Sequence, residues 1–336
     1  MSEKPETLRD VGEIDMIRRL LERVSSADPS VVLGPGDDCA LLAPNDEETV
    51  LTCDALVEGV HFDFGYFAPE DLGHRVVAAN LSDLASMGAE PWAAVLSLAA
   101  PGDTPASTFE RFYDGVAGIS DRYGLAVVGG DVVGSRGGVF ISVALLGKVP
   151  PGTAMTRAGA VPGDVLVLTG EIGLAQAGLD SLGGRVKLPH GSKKAAEERH
   201  LRPEPRVELG KRLRESGLVH ACIDTSDSLA ISFYHIATSQ NLGVGVDGGN
   251  LPISAAASDA AAQLGLDVYE YALDGGEDFE LLFAVAPEDA DSAVRIIEET
   301  GCRGSVIGTI TEHGEGVTLS VNGGRKPIPP KGFSHF

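Results

Sequence analysis

Aromatic residues are scarce in this sequence, at 5% of 336 residues, and positive charge is outnumbered. Against 49 Asp and Glu stand only 26 Lys and Arg, a formal net charge of −23. That shortage excludes nucleic acid and anionic membranes as partners, because both require a basic face that releases counterions. It leaves nucleotides open, since bound cations reverse the local sign. The four cysteines, Cys39, Cys53, Cys222 and Cys302, form no C-x-x-C pair and no Cys/His zinc spacing, which suits a reducing compartment. No stretch approaches roughly 18 uninterrupted apolar residues, and the polar segment Met1 to Asp10 lacks the apolar core of a signal peptide. A cytoplasmic protein with no membrane partner is expected. Phosphate-handling motifs of the common kinds are also missing. There is no G-x-x-x-x-G-K-[ST] loop, Gly147-Lys148 lacking both the earlier glycine and the hydroxyl, and no H-R-D with D-F-G. G-x-S-x-G is absent too, which removes the commonest serine-hydrolase signal.

Glycine, by contrast, is abundant: 43 residues, with 19 prolines. The length favours two domains, and the glycines imply many tight turns between short elements. Ile14, Ile17, Leu20, Leu21 and Val24 form one stripe of an amphipathic helix over 13–24. Short apolar runs at 31–33, 39–42, 50–52, 93–98 and 139–146 read as strands, and 72–79, 84–87 and 107–123 as helices. Pro150-Pro151-Gly152 and Val161-Pro162-Gly163-Asp164 are the most loop-like compositions mid-chain, placing a boundary near residue 150. Domains are therefore expected at 1–149 and 150–336. The second half reads as strands at 165–169, 243–247, 279–286, 305–310 and 317–320. Between them come helices at 174–182, 193–200, 206–216, 228–240, 254–264 and 287–300. Strand and helix mix in both halves, so the class is α/β or α+β.

Six acidic clusters sit beside these apolar runs: Gly36-Asp37-Asp38, Thr52-Cys53-Asp54, Ser82-Asp83, Gly129-Gly130-Asp131, Asp224-Thr225-Ser226-Asp227 and Gly275-Gly276-Glu277-Asp278. Two readings stand for each. Asp and Gly are ordinary turn and helix-cap residues. They are equally the donors of a site for hard cations, and Mg²⁺ is usually held by one or two carboxylates with waters and substrate phosphates. Ser82 or Asp83 reads as a helix N-cap with Gly88 at the C-terminal end, and Thr52 to Asp54 as a strand end. Gly129 to Asp131 likewise reads as a strand end where phosphate approaches backbone amides. His61 and Phe333 are candidates for holding an organic group.

In order along the chain, G-D-D-C-A, T-C-D-A-L-V-E-G-V-H-F, N-L-S-D-L-A-S-M-G-A, G-G-D, M-T-R-A-G-A-V-P-G-D, R-H-L-R-P-E-P-R, D-T-S-D-S-L and G-G-E-D-F-E-L resemble the thiamine-monophosphate kinase family. The likeness runs from about residue 12 to the final K-G-F-S-H-F. Single motifs are shared with a wider ATP-binding superfamily typified by aminoimidazole ribonucleotide synthetase. The resemblance implies a two-domain fold of that superfamily, with an N-terminal sheet domain that binds ATP and Mg²⁺ and forms a homodimer, and a C-terminal α/β domain that completes the site. It implies ATP-dependent phosphorylation of thiamine monophosphate to thiamine diphosphate, the last step of that cofactor's biosynthesis. By the same resemblance Asp38, Thr52, Cys53 through its backbone, Asp54, Asp83, Asp131, Asp224 and Asp227 fall on Mg²⁺ positions. Tyr113, Gly130, Asp131, Arg157 and Ser226 fall on ATP positions, and His61, Glu277 and Phe333 on thiamine-phosphate positions.

Three residues depart from the family pattern: Ser228 where glycine is usual, Val132 where threonine is common, and Cys53 in place of a hydroxyl residue. Two relatives in the superfamily are rival readings. Selenophosphate synthetase expects a reactive Cys or selenocysteine near the N-terminus, absent from residues 1–12, and the hydrogenase-maturation carbamoyl dehydratase expects a C-terminal Cys where this sequence has Phe336. A non-catalytic Ca²⁺-binding protein is a third, but no D-x-[DN]-x-[DN]-G loop is present. The implied acceptor is a phosphate monoester, with a second pKa near 6 and so largely ionised at pH 7. No residue is then needed as covalent nucleophile or general base, and the barrier is the mutual repulsion of two phosphates.

Overall fold

The computed structural model describes residues 6–11, 16, 19–20, 22–23, 31–33, 41–42 and 46–333. Asp37, Asp38 and Cys39 lie outside the described residues, as do Ile14, Ile17, Leu21 and Val24 of the expected first helix. Leu20 is described, and it is buried. Two compact units emerge, one of residues 1–81 with 90–152 and one of 82–89 with 153–336.

The first unit is built on a four-stranded sheet of β3 (Glu48–Val57), β6 (Phe140–Val149), β4 (Glu90–Ala100) and β5 (Ala126–Gly134), in that spatial order. Only the β4/β5 pair is parallel. Alternation along β6 buries Ile141, Val143, Leu145, Gly147 and Val149 and leaves the residues between them on the opposite face. The helix Ala106–Tyr123 carries Phe109, Phe112, Tyr113, Val116 and Ile119 on its buried stripe, and ends where Gly124 takes φ +64°. A two-stranded ribbon of β1 (Val31–Leu33) and β2 (Leu41–Leu42) completes the described strands of this half.

The second unit holds a seven-stranded sheet. From β7 (Val165–Thr169) it extends through β10 (Leu281–Val285) to β8 (Val219–Asp224) on one side, and on the other through β11 (Gly304–Thr311), β9 (Gly243–Asp247) and β12 (Val317–Val321) to β13 (Gly324–Pro327). All neighbours are antiparallel except β12 and β9. β10 is buried along its whole length, which is why its sequence is an unbroken apolar run without alternation. The helix Leu229–Ser239 lays Leu229, Phe233 and Ile236 into a core shared with Leu166, Leu168, Ile223, Val246 and Leu282.

Three sequence expectations are corrected. Helices 72–79 and 84–87 are a single helix, Pro69–Ser86. Asn80, polar and fully buried at the expected break, donates its Nδ2 to the Val76 carbonyl at 2.9 Å, so the helix passes through it. Ser82 and Asp83 accordingly sit near the C-terminal end of a helix and cap no N-terminus. The end itself falls as expected, with Gly88 at φ +67°. The Thr52 to Asp54 and Gly129 to Asp131 clusters lie inside strands and not at strand ends, because β6 pairs with β3 from Glu48 to Val57 and β4 pairs with β5 as far as Gly134.

Candidate functional site

In the first unit the strand period sorts the candidates by face. Thr52 and Asp54 are half-buried and pair with Leu145 and Val143, so they share the sheet's buried face. Cys53 points the other way, exposed, with Sγ 3.6 Å from Ser142 Oγ. Its thiol cannot join the donors of Thr52 and Asp54, and its backbone remains the group that can. Asp131 pairs with Ser97, and Ser97 with Ser142, which places Asp131 on the Cys53 face. Asp54 and Asp131 thus stand on opposite faces of one sheet. Gly130 neighbours Leu96 so closely that an added Cβ would lie 2.1 Å from the Leu96 carbonyl oxygen. Tyr113 is turned into the interior, and burial pushes its phenol up to about 12. His61 follows β3, its Nδ1 accepting from Val57 N at 3.0 Å, so the proton of the neutral ring is on Nε2.

The second unit draws several clusters together. Asp224 ends β8, 3% exposed, and its carboxylate accepts from Ser82 Oγ at 2.7 Å and Ser226 Oγ at 3.2 Å. Two motifs distant in sequence, N-L-S-D and D-T-S-D, meet at that carboxylate. Asp83, next to Ser82, is half-buried, while Asp227 is exposed. Beyond the β8/β10 pair, the turn after Asp224 is laced to the G-G-E-D-F-E segment. Thr225 N donates to Glu280 O at 2.8 Å, Glu280 N to Thr225 Oγ1 at 3.0 Å, and Glu277 N to Ser226 O at 2.6 Å. These bonds hold Glu277 and Phe279 at φ +67° and +50°, a region that costs a side-chain-bearing residue about 1–2 kcal/mol. Gly276 fits only as glycine, since a Cβ would lie 2.4 Å from the Asp227 carbonyl oxygen and 2.6 Å from that of Ser226. Glu277 Oε2 stands 3.4 Å from His200 Nδ1.

A buried ionic cluster supports this arrangement. Glu280 is fully buried, and receives Arg206 through both Nε and Nη2, Arg199 Nη1 at 2.6 Å and Thr169 Oγ1 at 2.6 Å. Burial alone would raise its carboxyl, but Arg206 and Arg199 outweigh that and hold it below the usual carboxylate range. R-H-L-R-P-E-P-R and G-G-E-D-F-E-L are thereby one structural unit. The neighbouring Asp278 accepts from Gly173 N at 2.6 Å and Ala175 N at 3.0 Å, at the start of the helix Leu174–Leu182. Burial pushes its carboxyl up to about 7 against those two bonds.

Two candidates remain, Phe333 and Arg157. Phe333 is 51% exposed, and Gly332 before it presses on the turn, with a Cβ there only 3.1 Å from the Asp227 carbonyl oxygen. Arg157 is exposed, its carbonyl accepting from Ser239 Oγ at 2.9 Å. His235 is lowered by burial and by Arg157, with Asp227 opposing, so both candidates lie within electrostatic reach of one imidazole. Motif reading gave Ser82 only as a helix cap and assigned no role to Thr225, Asp278, Glu280, Arg199 or Arg206 as individual residues. Each lay inside a quoted motif, and for Asp278, Glu280, Arg199 and Arg206 the signal was a charge in an otherwise apolar or turn-forming run.

Among the described residues no group of three or more His, Cys, Asp or Glu is arranged to hold a metal ion by itself. The donors near Asp224 are carboxylate, hydroxyl and backbone oxygens, the hard set that Mg²⁺ takes when phosphates and waters complete its shell. The residues present fit that ion.

Comparison with known proteins defines the class first. The chain matches AIR synthase related protein, N-terminal domain, over residues 36–149, and the C-terminal domain of the same family over 161–320. Thiamine-monophosphate kinase of Escherichia coli (strain K12) is 36% identical over 329 residues, covering 97% of this chain and 98% of that one. Among solved structures, thiamine-monophosphate kinase from Stenotrophomonas maltophilia K279a superimposes with a TM-score of 0.79 at 35% identity, over 91% of this chain and 94% of that one. AaThiL complexed with AMPPCP and TMP gives a TM-score of 0.75 at 32% identity over 100% of both chains. Within the AIR synthase related class, the chain belongs to the thiamine-monophosphate kinase family.

Proposed function

We infer that this protein transfers the γ-phosphoryl group of ATP to the phosphate of thiamine monophosphate, giving ADP and thiamine diphosphate. The observation that carries the reading is the full-length likeness to AaThiL solved with AMPPCP and TMP. AMPPCP is ATP with a methylene bridge in place of the β,γ oxygen, so that complex holds a stand-in for the phosphoryl donor together with TMP. The selenophosphate synthetase and carbamoyl dehydratase readings are not favoured: the hydrogenase maturation protein HypE of E. coli shares the fold at a TM-score of 0.78 but is only 20% identical, a likeness of fold alone.

The acceptor is already anionic at neutral pH. Catalysis is therefore positioning and charge neutralisation, with neither a covalent nucleophile nor a general base on the protein. Mg²⁺, when bound, neutralises charge between the two phosphates. Asp224 and Asp227, with Asp83, are its proposed carboxylates in the second unit, and Ser82 and Ser226 orient Asp224 by donating to it. In the first unit Thr52, the Cys53 backbone, Asp54 and Asp131 would supply further oxygen donors to Mg²⁺, Asp54 and Asp131 from opposite faces of the sheet. Asp38 belongs to the same proposed set. Tyr113, Gly130, Arg157 and Ser226 are assigned to ATP. His61 offers its Nε2 proton to the acceptor, Glu277 a carboxylate to the cationic thiamine, and Phe333 a ring face to the thiazolium.

The protein is further proposed to be a cytoplasmic homodimer. Support comes from the open face of the four-stranded sheet, where Leu51 is 67% exposed, Val133 51% and Phe140 40%. These residues, with Val57 and Val95, form an apolar face larger than scattered surface residues make. No described helix is long and apolar enough to cross a membrane. The reading is tested by ADP release against a panel of phosphate and non-phosphate acceptors, with and without Mg²⁺. Turnover confined to thiamine monophosphate and dependent on the metal is expected.

A further inference from the structure

The segment Ile328–Phe333 is strapped to the helix Leu229–Ser239 at two points, its middle and its N-cap. Tyr234 Oη donates to the Ile328 carbonyl at 2.7 Å, and Ser228 Oγ donates to the Lys331 carbonyl at 2.7 Å. Pro329 and Pro330 stiffen the span between the two anchors. Gly332 then lies against the second one, where a Cβ would sit 2.7 Å from Ser228 Oγ and 3.0 Å from Ile231 Cγ1. Ser228 is fully buried. Its φ of 178° is extended backbone open to any residue, so geometry of the chain does not select serine. Its bonds do. The same oxygen accepts from Ile231 N at 3.0 Å, capping the helix, while its proton goes to Lys331. A hydroxyl supplies one donor and two acceptor lone pairs on one small group, which glycine and alanine cannot.

We propose that Ser228 is a positioning residue for thiamine monophosphate, acting through Phe333 by latching the C-terminal strap beside the Asp224 to Asp227 turn. The proposal rests on the assignment of Phe333 to the substrate. Lys331 Nζ lies 4.0 Å from Asp274 Oδ2, a long and partly exposed pair that adds little anchorage. Without the Ser228 bond, Gly332 is a free hinge immediately before the aromatic ring.

Ser228→Gly separates latch from cap, because glycine at an N-cap costs only a few tenths of a kcal/mol relative to serine. In the full-length enzyme this variant is expected to raise the KM for thiamine monophosphate roughly 2- to 10-fold, the worth of one hydrogen bond, with kcat and the KM for ATP unchanged. Hydrogen exchange of the C-terminal peptide should quicken, and Ser228→Thr should restore both readouts. In a Phe333→Ala background Ser228→Gly should add nothing further to KM. A change in kcat or in the KM for ATP would show that Ser228 acts through Asp227, and unchanged exchange would show that no latch exists. Either result overturns the proposal. If Phe333→Ala left the KM unchanged while Ser228→Gly still quickened exchange, the substrate assignment of Phe333 would be the part that failed.

Discussion

Replacing Glu280 by Gln removes one negative charge from a site where two guanidiniums converge. The carboxylate is fully buried, both arginines are mostly buried, and Arg206 grips both oxygens. Gln keeps the volume and one acceptor oxygen, but it leaves Arg199 and Arg206 without their shared counter-charge. Breaking a buried pair from one side costs about 3–5 kcal/mol, because the remaining charge stays desolvated. In a unit of this size each kcal/mol moves the melting temperature by about 2–4 °C. A fall of about 6–20 °C follows, measured by calorimetry or circular dichroism on the purified enzyme. Glu280 also joins Thr225 through its backbone N–H and carbonyl, the first donating to Thr225 Oγ1 and the second accepting from Thr225 N, so the loss should reach the turn carrying Asp224 and Asp227. Activity at a temperature where the variant remains folded should therefore fall as well. A variant melting within about 2 °C of the parent would refute the claim that this ionic cluster holds the site together.

Asp224→Asn keeps an acceptor oxygen for Ser82, sets an NH2 donor where Ser226 donates, so that the part-buried Ser226 hydroxyl must turn to accept, and removes the charge; kcat should drop on the order of 10²-fold or more with little change in melting temperature, which steady-state kinetics at saturating Mg²⁺ check. Asp278 bears on pH dependence. Its folded pKa of about 7 lies above the ordinary value, so the native state binds the extra proton and stability falls as pH rises from about 4 to 7. Asp278→Asn should flatten that slope in urea midpoints taken at pH 5 and pH 7. Leu51→Asp combined with Phe140→Asp should convert a dimer to monomers in sedimentation velocity, and an unchanged sedimentation coefficient would remove the sheet face as the interface.

Much of the second unit was legible because its apolar runs have the right period and length. Val165–Thr169 and Leu174–Leu182 fall where the pattern puts them. The helix through Asn80 was not, because a buried side chain bonding back to its own backbone leaves no trace in hydropathy. The faces of Asp54 and Asp131 were equally hidden. Spacing locates an acidic residue on a strand, but which face it takes depends on register against β6 and β4. Glu280 was visible only as a letter in a motif, since its partners Arg199 and Arg206 lie more than 70 residues earlier. Ser228, a departure from the family pattern, proved to be well accommodated. Its extended backbone admits a side chain, and that side chain makes two hydrogen bonds.

The stereochemistry of transfer tests the central claim most directly. With ATP chiral at the γ-phosphorus and thiamine monophosphate as acceptor, a single in-line transfer inverts configuration at that phosphorus. Inversion in the thiamine diphosphate formed, with no label held by the protein, is the predicted result. Retention, or labelled phosphate trapped covalently on the enzyme, would contradict direct transfer between the two phosphates.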